Sequence, residues 1–441
     1  MATIEYDDLP TTAIDRVERR FVDTIGVALA GARTYAGAIA VETTSTLSGG
    51  CGPATLVGTE ISGSLTDAAF ANGTAGHCLD FDDVSGRLHV HPSVVLLPPI
   101  LALSEQQKVS GPEAITSYIA GYEVMNFLAE PVKDVHYERG WHSTATIGTY
   151  GATVAAATLL GLEKFEVKQA LNIASSTAAG IKRNFGSMTK PMHAGQAARS
   201  GLTAALLAAD GFTAAADTLS GEGGFYDLYT DDGGPNRDEH PTLGSEWAIV
   251  KYGIDTKKFP CCYFTHSAIA AAAQLADDHD LRPVDIDRIE VIGSGAAGDA
   301  LVHKDPSTGL EAKFSMQYTV ASSIARDTVD LDAFDDDELD DPETQMIRER
   351  VEFDVDPELT YGSHEVTINI HLTNGKAVTK RRIEPPGTID HPLSDDEIEK
   401  KYRMCASRVF PEEEIDWTYN RLSDLRSQND LGAIVDRLGG Q

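Results

Sequence analysis

The hydrophobic pattern of this chain changes near Asp255, and that change restricts the possible folds more than any other feature. Before it, apolar residues recur at helical spacing. A first helix is indicated by a stripe made of Ile14, Val17, Phe21 and Ile25. Thr11 or Thr12 is expected to cap this helix. Further helices are predicted over 111–128, 145–160, 165–178 and 194–210.

After Asp255 the pattern alternates between apolar and polar residues. The run from Arg288 to Ile292 alternates and leads into Gly293, which is typical of a strand. A second alternating run, 366–372, is followed by Asn374-Gly375, the strongest short signal for a β-hairpin. The sequence therefore predicts a small α+β region in this part of the chain.

The last part of the chain returns to a helical pattern. Ser394 and Glu397 form a capping box that opens short terminal helices, which we expect to pack on the N-terminal helices. A chain of 441 residues is also too long to form a single small hydrophobic core. The sequence predicts a mainly α fold with a large, discontinuous all-helical domain (1–257 and 393–441). A smaller α+β lid domain (258–392) is inserted in it and faces it across a cleft.

Small residues are abundant in the predicted helices, as in the stretch Gly148–Ala157. They allow close approach of helices, either within a large bundle or at a subunit interface. No stretch is long and apolar enough for a membrane span, because the longest apolar run, Val94–Leu103, contains Pro98-Pro99. The acidic segment Met1–Pro10 has no apolar signal core. We expect a cytoplasmic protein without membrane association.

The net charge of the chain is strongly negative. It has 36 Lys and Arg against 68 Asp and Glu, which gives −32 at pH 7. Such a surface repels nucleic acid and anionic membranes, so neither is an expected partner. It also destabilises the fold by self-repulsion unless salt screens it. We interpret the charge as that of an enzyme from a high-salt cytoplasm.

No cofactor is predicted. The five cysteines show no CxxC spacing, and their odd number favours reduced thiols over disulfides or an iron–sulfur cluster. Asp82 and Asp83 could bind a divalent cation, but no third oxygen ligand is spaced to match. The sequence therefore predicts no metal site.

The densest group of ionisable residues lies between Gly73 and Ser93. It contains, among apolar residues, His77, Asp80, Asp82, Asp83, His89 and His91. Because burial among apolar neighbours shifts pKa values towards a catalytic task, this pattern indicates a functional site rather than a surface charge run. Asp80 and His91 are predicted to act in proton transfer, whereas His77 is interpreted as a core histidine.

Two further segments carry candidate chemistry. His142 precedes the start of a predicted helix, where it could bind a substrate carboxylate or transfer a proton, or merely flank a cap made by Ser143 or Thr144. Lys190 is a rare lysine in a chain that is poor in lysine, and it is predicted to bind a carboxylate or act as a base. Since it contributes a charge rather than core area, its removal is expected to affect folding little.

The segment Phe259–His266 lies at the predicted domain boundary, where clefts form. His266 opens an Ala-rich helix. Cys262 could be a nucleophile, but no activating Cys–His spacing is present, so we interpret it as a buried thiol.

Five segments, taken together, resemble the MmgE/PrpD family, which includes 2-methylcitrate dehydratase, cis-aconitate decarboxylase and iminodisuccinate epimerase. They are His77–Asp83 with His91-Pro92-Ser93, Trp141–Thr144, Lys190–Gly195, Phe259–Cys262 with Thr265-His266, and Phe314–Tyr318. The resemblance extends over nearly the whole chain. It implies a discontinuous helical domain with an inserted α+β lid and a homodimeric assembly.

The resemblance also implies the site residues. The catalytic set would be Asp80, His91, His142, Lys190 and His266. Tyr318 and His193 would contribute to substrate binding, and Val84 would lie at the substrate where the family often has threonine. No cofactor is implied.

The implied substrates are di- or tricarboxylates with an acidic C–H bond beside a carboxylate. Lys190 and nearby histidines would stabilise the enediolate-like charge, and a second group would protonate the leaving hydroxyl or the carbon. We expect a cofactor-independent lyase, with 2-methylcitrate dehydration as the leading activity. The alternatives are cis-aconitate decarboxylation, epimerisation of an aspartate-like dicarboxylate and a non-catalytic family member.

Overall fold

In a computed structural model, the chain is described over residues 4–230, 243–244, 246–326 and 328–440. The first three residues of the acidic N-terminal segment lie outside these ranges. The chain forms two compact units. The helical unit comprises Met1–Arg183, Met188–Asp255 and Ser394–Gln441, and the mixed unit comprises Asn184–Ser187 and Thr256–Leu393. The partition into domains 1–257, 258–392 and 393–441, with the middle one as a lid, stays a prediction.

The described residues of the helical unit form helices and a short antiparallel strand pair, numbered here along the whole chain. Its first helices are α1 (Thr11–Ala32), α2 (Tyr35–Ser48), α3 (Leu65–Cys78), α4 (Ser93–Gln106), α5 (Gly111–Ala129) and α6 (Lys133–Glu138). They are followed by α7 (Ser143–Leu159), α8 (Lys164–Ala174), α9 (Thr189–Ala209), α10 (Phe225–Tyr229) and α11 (Ala248–Lys251). The strand pair is β1 (Ala54–Thr55) with β2 (Ser62–Gly63).

Helix α1 confirms the predicted apolar stripe. Ile14, Val17, Phe21 and Ile25 are all buried. The predicted threonine cap is wrong, because the helix begins at Thr11 and Pro10 occupies the cap position. Pro10 has extended backbone and no side-chain acceptor, so no side-chain hydrogen bond caps this helix.

Glycines allow helices α3, α7 and α9 to pack closely. A Cβ atom on Gly73 of α3 would lie 2.9 Å from the Cα of Gly195 on α9. A Cβ atom on Gly201 would lie 2.6 Å from the backbone nitrogen of Thr153 on α7. Larger side chains would force these helices apart, so the small residues serve close packing within the bundle. This packing brings the C-terminal end of α3 and the N-terminal end of α9 into one region.

The mixed unit contains a four-stranded sheet with helices. Its helices are α12 (His266–Asp278), α13 (Gly295–Ala300), α14 (Gly309–Ala312), α15 (Met316–Ala325) and α16 (Pro342–Arg348). Its strands are β3 (Ile286–Gly293), β4 (Val351–Val355), β5 (Val366–Leu372) and β6 (Ala377–Arg382). The strand order is β4-β3-β5-β6.

The sheet confirms both predicted alternating runs. Strand β3 pairs with β4 in parallel and with β5 in antiparallel orientation. The β5–β6 hairpin turns at Asn374-Gly375, where Gly375 has the positive φ of +82° that this turn requires. Ile289 and Ile368 point into one core, as alternation predicts. The fold is thus mainly α with a small α+β region.

The chain after the mixed unit returns to the helical unit as α17 (Asp395–Ala406), α18 (Glu412–Leu422) and α19 (Gly432–Arg437). The predicted capping box of Ser394 and Glu397 is present at the start of α17. Helix α17 packs along α1, which confirms that the terminal helices pack on the N-terminal ones.

Within the described ranges, no individual helix has both the length and the apolar character needed to cross a bilayer. The bent pair of α1 and α2 passes that test together, with an 82° bend between the two helices. Most residues of α1 are buried in the helical unit. Helix α4, which contains the longest apolar run, continues through Pro98-Pro99 instead of ending there.

Candidate active site

The candidate site is built on the loop between α3 and α4. Helix α3 ends at Cys78, and Asp80 then adopts a left-handed backbone with φ of +51°, which Asp tolerates better than most residues. The following residues, Phe81, Asp82 and Asp83, are all buried. The loop therefore places three consecutive ionisable or aromatic side chains inside the protein, each with different partners.

Lys190 and Asp80 form an ion pair in which both side chains are buried. Lys190 lies in the first turn of α9, and its Nζ donates to Oδ1 of Asp80. Each charge offsets the desolvation of the other, since an isolated charge is strongly unfavourable in such surroundings. The prediction that Lys190 faces a carboxylate is consistent with this pair, although the carboxylate here is the protein's own.

Asp82 binds two histidine rings. Its Oδ2 accepts hydrogen bonds from Nδ1 of His77 at 2.9 Å and from Nδ1 of His91 at 3.1 Å. The Nδ1 atom of His91 also lies 2.9 Å from the carbonyl oxygen of Asp83. Donation from Nδ1 leaves Nε2 of each ring as a base. Nε2 of His77 and Oδ1 of Asp82 are buried, and neither has a hydrogen-bond partner in the described part of the chain.

The electrostatics of this group follow from burial. The pKa of His77 is lowered from 6.5 to about 3, chiefly by burial; Asp82 opposes this shift, and the charges of Lys190 and His91 add to it. For Asp82, burial raises the pKa, but attraction to His77 and His91 and their hydrogen bonds outweigh it and hold the pKa well below its ordinary value. The free protein near pH 7 thus has an ionised Asp82 beside a neutral His77.

A second pair of imidazoles lies beside the first. Nδ1 of His142 and Nδ1 of His193 are 3.0 Å apart, so one ring donates and the other accepts. The ring of His142 stacks on that of His77 with centroids 6.0 Å apart. Burial, and then His77 and Lys190, hold the pKa of His142 well below its ordinary value. Burial and Lys190 also lower the pKa of His193.

Asp83 belongs to a different network from its neighbour Asp82. Its Oδ2 accepts from the hydroxyl of Ser93, and its Oδ1 accepts from the backbone N–H of Ser93 at 3.1 Å. Tyr118 lies 2.6 Å from the same hydroxyl, and Arg20 lies 3.8 Å from Oδ2. Burial raises the pKa of Asp83 to about 7. This carboxyl fixes the start of α4 rather than the histidines.

The structure thus brings together Asp80, His91, His142, Lys190 and His193 within the helical unit. It adds His77 and Asp82, which the sequence analysis did not place in the site. His77 was interpreted as a core histidine, and its position one helical turn before Asp80 was the available signal for a role. Asp82 gave no signal that separated it from Asp83, because the two aspartates are adjacent in sequence.

The remaining predicted site residues have the following surroundings. Val84 lies in the site loop, and its backbone pairs with that of Asp255. His266 is buried at the start of α12 in the mixed unit, with its Nε2 3.3 Å from the carbonyl oxygen of Cys261. Tyr318 is also buried in the mixed unit, and its hydroxyl donates to the carbonyl oxygen of Ala333. The roles of Val84, His266 and Tyr318 stay predictions.

His77, Asp82 and His91 also form a set of side chains that could hold a metal ion. Their ligand atoms all lie within 4.8 Å of one another. Two imidazoles and a carboxylate suit several transition metals. No third oxygen ligand is spaced to match Asp82 and Asp83 in the sequence, whereas two residues of this set offer histidine nitrogens. Nδ1 of each histidine is hydrogen-bonded to Oδ2 of Asp82, so the geometry fits an acid–base group as well as a metal ligand set.

Comparison with known proteins assigns the family. Residues 1–238 match the MmgE/PrpD N-terminal domain, and residues 259–425 match the MmgE/PrpD C-terminal domain. The chain belongs to the MmgE/PrpD family, as its sequence motifs predict. Similar proteins include cis-aconitate decarboxylases from Homo sapiens and Mus musculus, which are 27% and 28% identical to it. These alignments cover 99% of this chain and 92% and 91% of the relatives.

A fungal relative is similar over the same extent. The cis-aconitate decarboxylase of Aspergillus terreus is 26% identical over 99% of this chain and 94% of its own length. The chain therefore spans nearly the full length of relatives from animals and from a fungus.

Proposed function

We propose that this protein is a lyase that acts on a small di- or tricarboxylate, with decarboxylation of cis-aconitate as its leading activity. The observation that carries the proposal is the buried Lys190–Asp80 pair beside a cluster of imidazoles. The similarity to cis-aconitate decarboxylases along the whole chain favours decarboxylation over the dehydration that the sequence analysis placed first.

The charges of the site suit an anionic substrate. Lys190 is paired with Asp80 in the free protein, so a substrate carboxylate would share its ammonium group. His77 and His142 are neutral in the free protein because burial lowers the pKa of each. A bound carboxylate would favour their charged forms and would therefore draw a proton into the site together with the substrate.

Decarboxylation breaks the bond between a carbon atom and its carboxylate. The electron pair stays on the substrate, where it is delocalised towards a remaining carboxylate, and CO2 leaves. Lys190 would stabilise that developing charge. A histidinium of the cluster would then donate its proton to carbon and return to the neutral form. Asp82 would hold His77 and His91 in the orientation and tautomer that keep Nε2 available.

Dehydration of the 2-methylcitrate type is the second candidate. The observation that favours it is the hydrogen bond between His142 and His193, in which one ring nitrogen is the donor and the other the acceptor. Such a pair could remove a proton beside a carboxylate and protonate the departing hydroxyl. Epimerisation would use the same base to remove a proton beside a carboxylate, but no group would leave the substrate.

The test is incubation of the protein at molar salt with cis-aconitate, 2-methylcitrate, citrate and isocitrate, with CO2 release and absorbance of the unsaturated product measured in parallel. Release of CO2 from cis-aconitate is the expected result. Absorbance that appears with 2-methylcitrate without CO2 would favour the dehydratase. An Asp80→Asn/Lys190→Met variant is the control for contaminating activity. Absence of turnover by the wild-type protein with every substrate would contradict the proposal.

We also propose a homodimeric, cytoplasmic protein, as the family resemblance and the sequence imply. Light scattering coupled to size-exclusion chromatography at molar salt tests the assembly. A mass of one chain would contradict the dimer.

A further inference from the structure

We propose that Lys401, paired with Asp23, is a positioning residue of the candidate site, which it reaches from the C-terminal helix α17. This inference rests on the proposed function, because it assigns Lys401 a part in orienting the groups that would act on the substrate. The role would be exerted through the peptide that joins Phe81 to Asp82.

Lys401 makes one contact with α1 and two with the site loop. Its Nζ lies 2.6 Å from Oδ1 of Asp23 on α1, and it donates to the carbonyl oxygen of Phe81 at 2.7 Å. The same Nζ lies 3.9 Å from the centroid of the Phe81 ring. Lys401 is only 5% exposed and Asp23 only 1%. The ammonium group is therefore held between α1 and the loop by a carboxylate, a carbonyl and an aromatic face.

The contacts of Lys401 affect the site because of the position of Phe81 in the loop. It lies between Asp80, which binds Lys190, and Asp82, which binds His77 and His91. The carbonyl that Lys401 holds belongs to the peptide plane leading into Asp82, so it sets the direction from which the Asp82 side chain starts. A charge-assisted hydrogen bond is stronger and more directional than a neutral one. Loss of this bond would let the loop, and with it both imidazoles, change orientation.

A purely structural ion pair between Lys401 and Asp23 would not need the contacts of Lys401 with Phe81. Lys401 and Asp23 could neutralise each other's charge without the loop, and replacement of a buried pair by apolar residues is often neutral for stability. Arg20, one turn before Asp23 on α1, lies 3.8 Å from Oδ2 of Asp83. Burial raises the pKa of the neighbouring Cys405 thiol to about 12, so this thiol is neutral and does not compete for the ammonium group.

The test uses the full chain and replaces both partners. Lys401→Met alone would leave Asp23 as an uncompensated buried charge, so the main variant is Asp23→Asn/Lys401→Met, which removes both charges at similar volume. Lys400→Met is the matched control, because Lys400 is the adjacent, exposed lysine of the same helix. Lys401→Arg, which keeps the charge but moves its N–H donors, replaces the double variant if that variant does not fold.

Two readouts separate positioning from stability. The first is the decarboxylation of cis-aconitate, in which we expect kcat to fall about 10- to 100-fold with little change in KM, a loss typical of removing a group that orients a functional side chain. The second is the pH titration of His77 and His91 by ¹⁵N NMR, with signals assigned through His77→Gln and His91→Gln. We expect altered tautomers or titration midpoints in the double variant and none in Lys400→Met.

The outcomes are distinct for the two proposals. A folded double variant with wild-type kcat and unchanged histidine titration would overturn the positioning role. If the wild-type protein releases no CO2 from any of the carboxylates, the proposed function fails, and the NMR arm alone then decides whether Lys401 orients the histidines.

Discussion

Asp82 and Asp83 are adjacent in sequence and both are buried, yet they bind unrelated partners. Asp82 accepts hydrogen bonds from the rings of His77 and His91, whereas Asp83 accepts from Ser93 at the start of α4. One carboxylate orients imidazoles and the other anchors a helix. Because the two residues are adjacent, a substitution of Asp83 is a control for the same substitution of Asp82.

We therefore predict different effects for Asp82→Asn and Asp83→Asn. Asp82→Asn removes the charge that two histidines share, so kcat should fall about 10- to 100-fold and its pH profile should shift. Asp83→Asn should affect activity much less, because burial raises the pKa of Asp83 to about 7 and an amide resembles its protonated form. Steady-state kinetics between pH 5 and 9 measure both. Equal losses of kcat in the two variants would contradict the separate roles.

Lys190 is predicted to be needed both for turnover and for folding. Lys190→Ala should lower kcat at least about 100-fold, the scale for loss of one electrostatic partner of a transition state. Lys190→Arg should restore little, since a planar guanidinium does not replace a point charge in a confined site. Lys168→Ala, which removes an exposed lysine, is the control.

The sequence predicts that loss of Lys190 affects folding little, but the buried position of Lys190 in the structure predicts that its loss destabilises the fold. Because Lys190 and Asp80 are both buried, the alanine variant removes the positive charge beside the Asp80 carboxylate and should lose about 3–5 kcal/mol of unfolding free energy. Asp80→Asn in the same chain should recover part of that stability but no activity. Urea denaturation of the single and double variants measures this. A fully stable, active Lys190→Ala protein would remove Lys190 from the site.

A third prediction concerns stability in acid. Burial lowers the pKa of His136 from 6.5 to about 4, so below pH 6.5 the unfolded chain binds a proton that the folded chain does not. The folded state should thus lose up to about 1.4 kcal/mol for each pH unit between 6.5 and 4 because of this residue. His136→Gln, which cannot titrate, should lose correspondingly less.

Urea denaturation at pH 7, 6 and 5 measures the difference between the wild-type protein and His136→Gln. His279→Gln is the control, because His279 is exposed. A difference between wild type and His136→Gln that does not change with pH would mean that the pKa of His136 is the same in the folded and the unfolded chain.

Local patterns explain what could be predicted from the sequence. Helix α1 and the β5–β6 hairpin follow from apolar spacing and from Asn374-Gly375, which act over a few residues. The density of ionisable residues around Asp80 also indicated the candidate site. By contrast, the partner of Asp80 is 110 positions away, and the carbonyl of Phe81 is held by a lysine 320 positions away.

Such pairings depend on how helices pack, and residue types alone do not specify them. His77 is an example of a residue whose partner could not be predicted from the sequence. Its place in the last turn of α3 is compatible with a passive core residue, and only the direction of the Asp82 side chain makes it part of the site. The predicted roles of His266 and Tyr318 depend on the family resemblance and not on these contacts.

A fourth prediction is that turnover does not require a metal. The nitrogen atoms of His77 and His91 that approach Asp82 lie at 2.9 and 3.1 Å, so hydrogen bonds already satisfy these atoms. Activity should persist after treatment with EDTA, and elemental analysis should find no stoichiometric metal. Inhibition by EDTA that a divalent ion reverses, together with loss of metal in His77→Gln, would instead assign these residues as ligands.

The last prediction concerns salt. With a net charge of −32, the folded chain is destabilised by repulsion among its carboxylates. Salt screens that repulsion over about 10 Å at 0.1 M and about 3 Å at 1 M, so the melting temperature should rise steeply with KCl. Sucrose at equal osmolality is the control, because it strengthens burial without screening charge. Buried pairs such as Lys190–Asp80 are screened little, so salt should act on the surface and leave the site geometry unchanged. A melting temperature that does not change on dialysis from molar salt to low ionic strength would contradict the interpretation of the acidic surface as an adaptation to high salt.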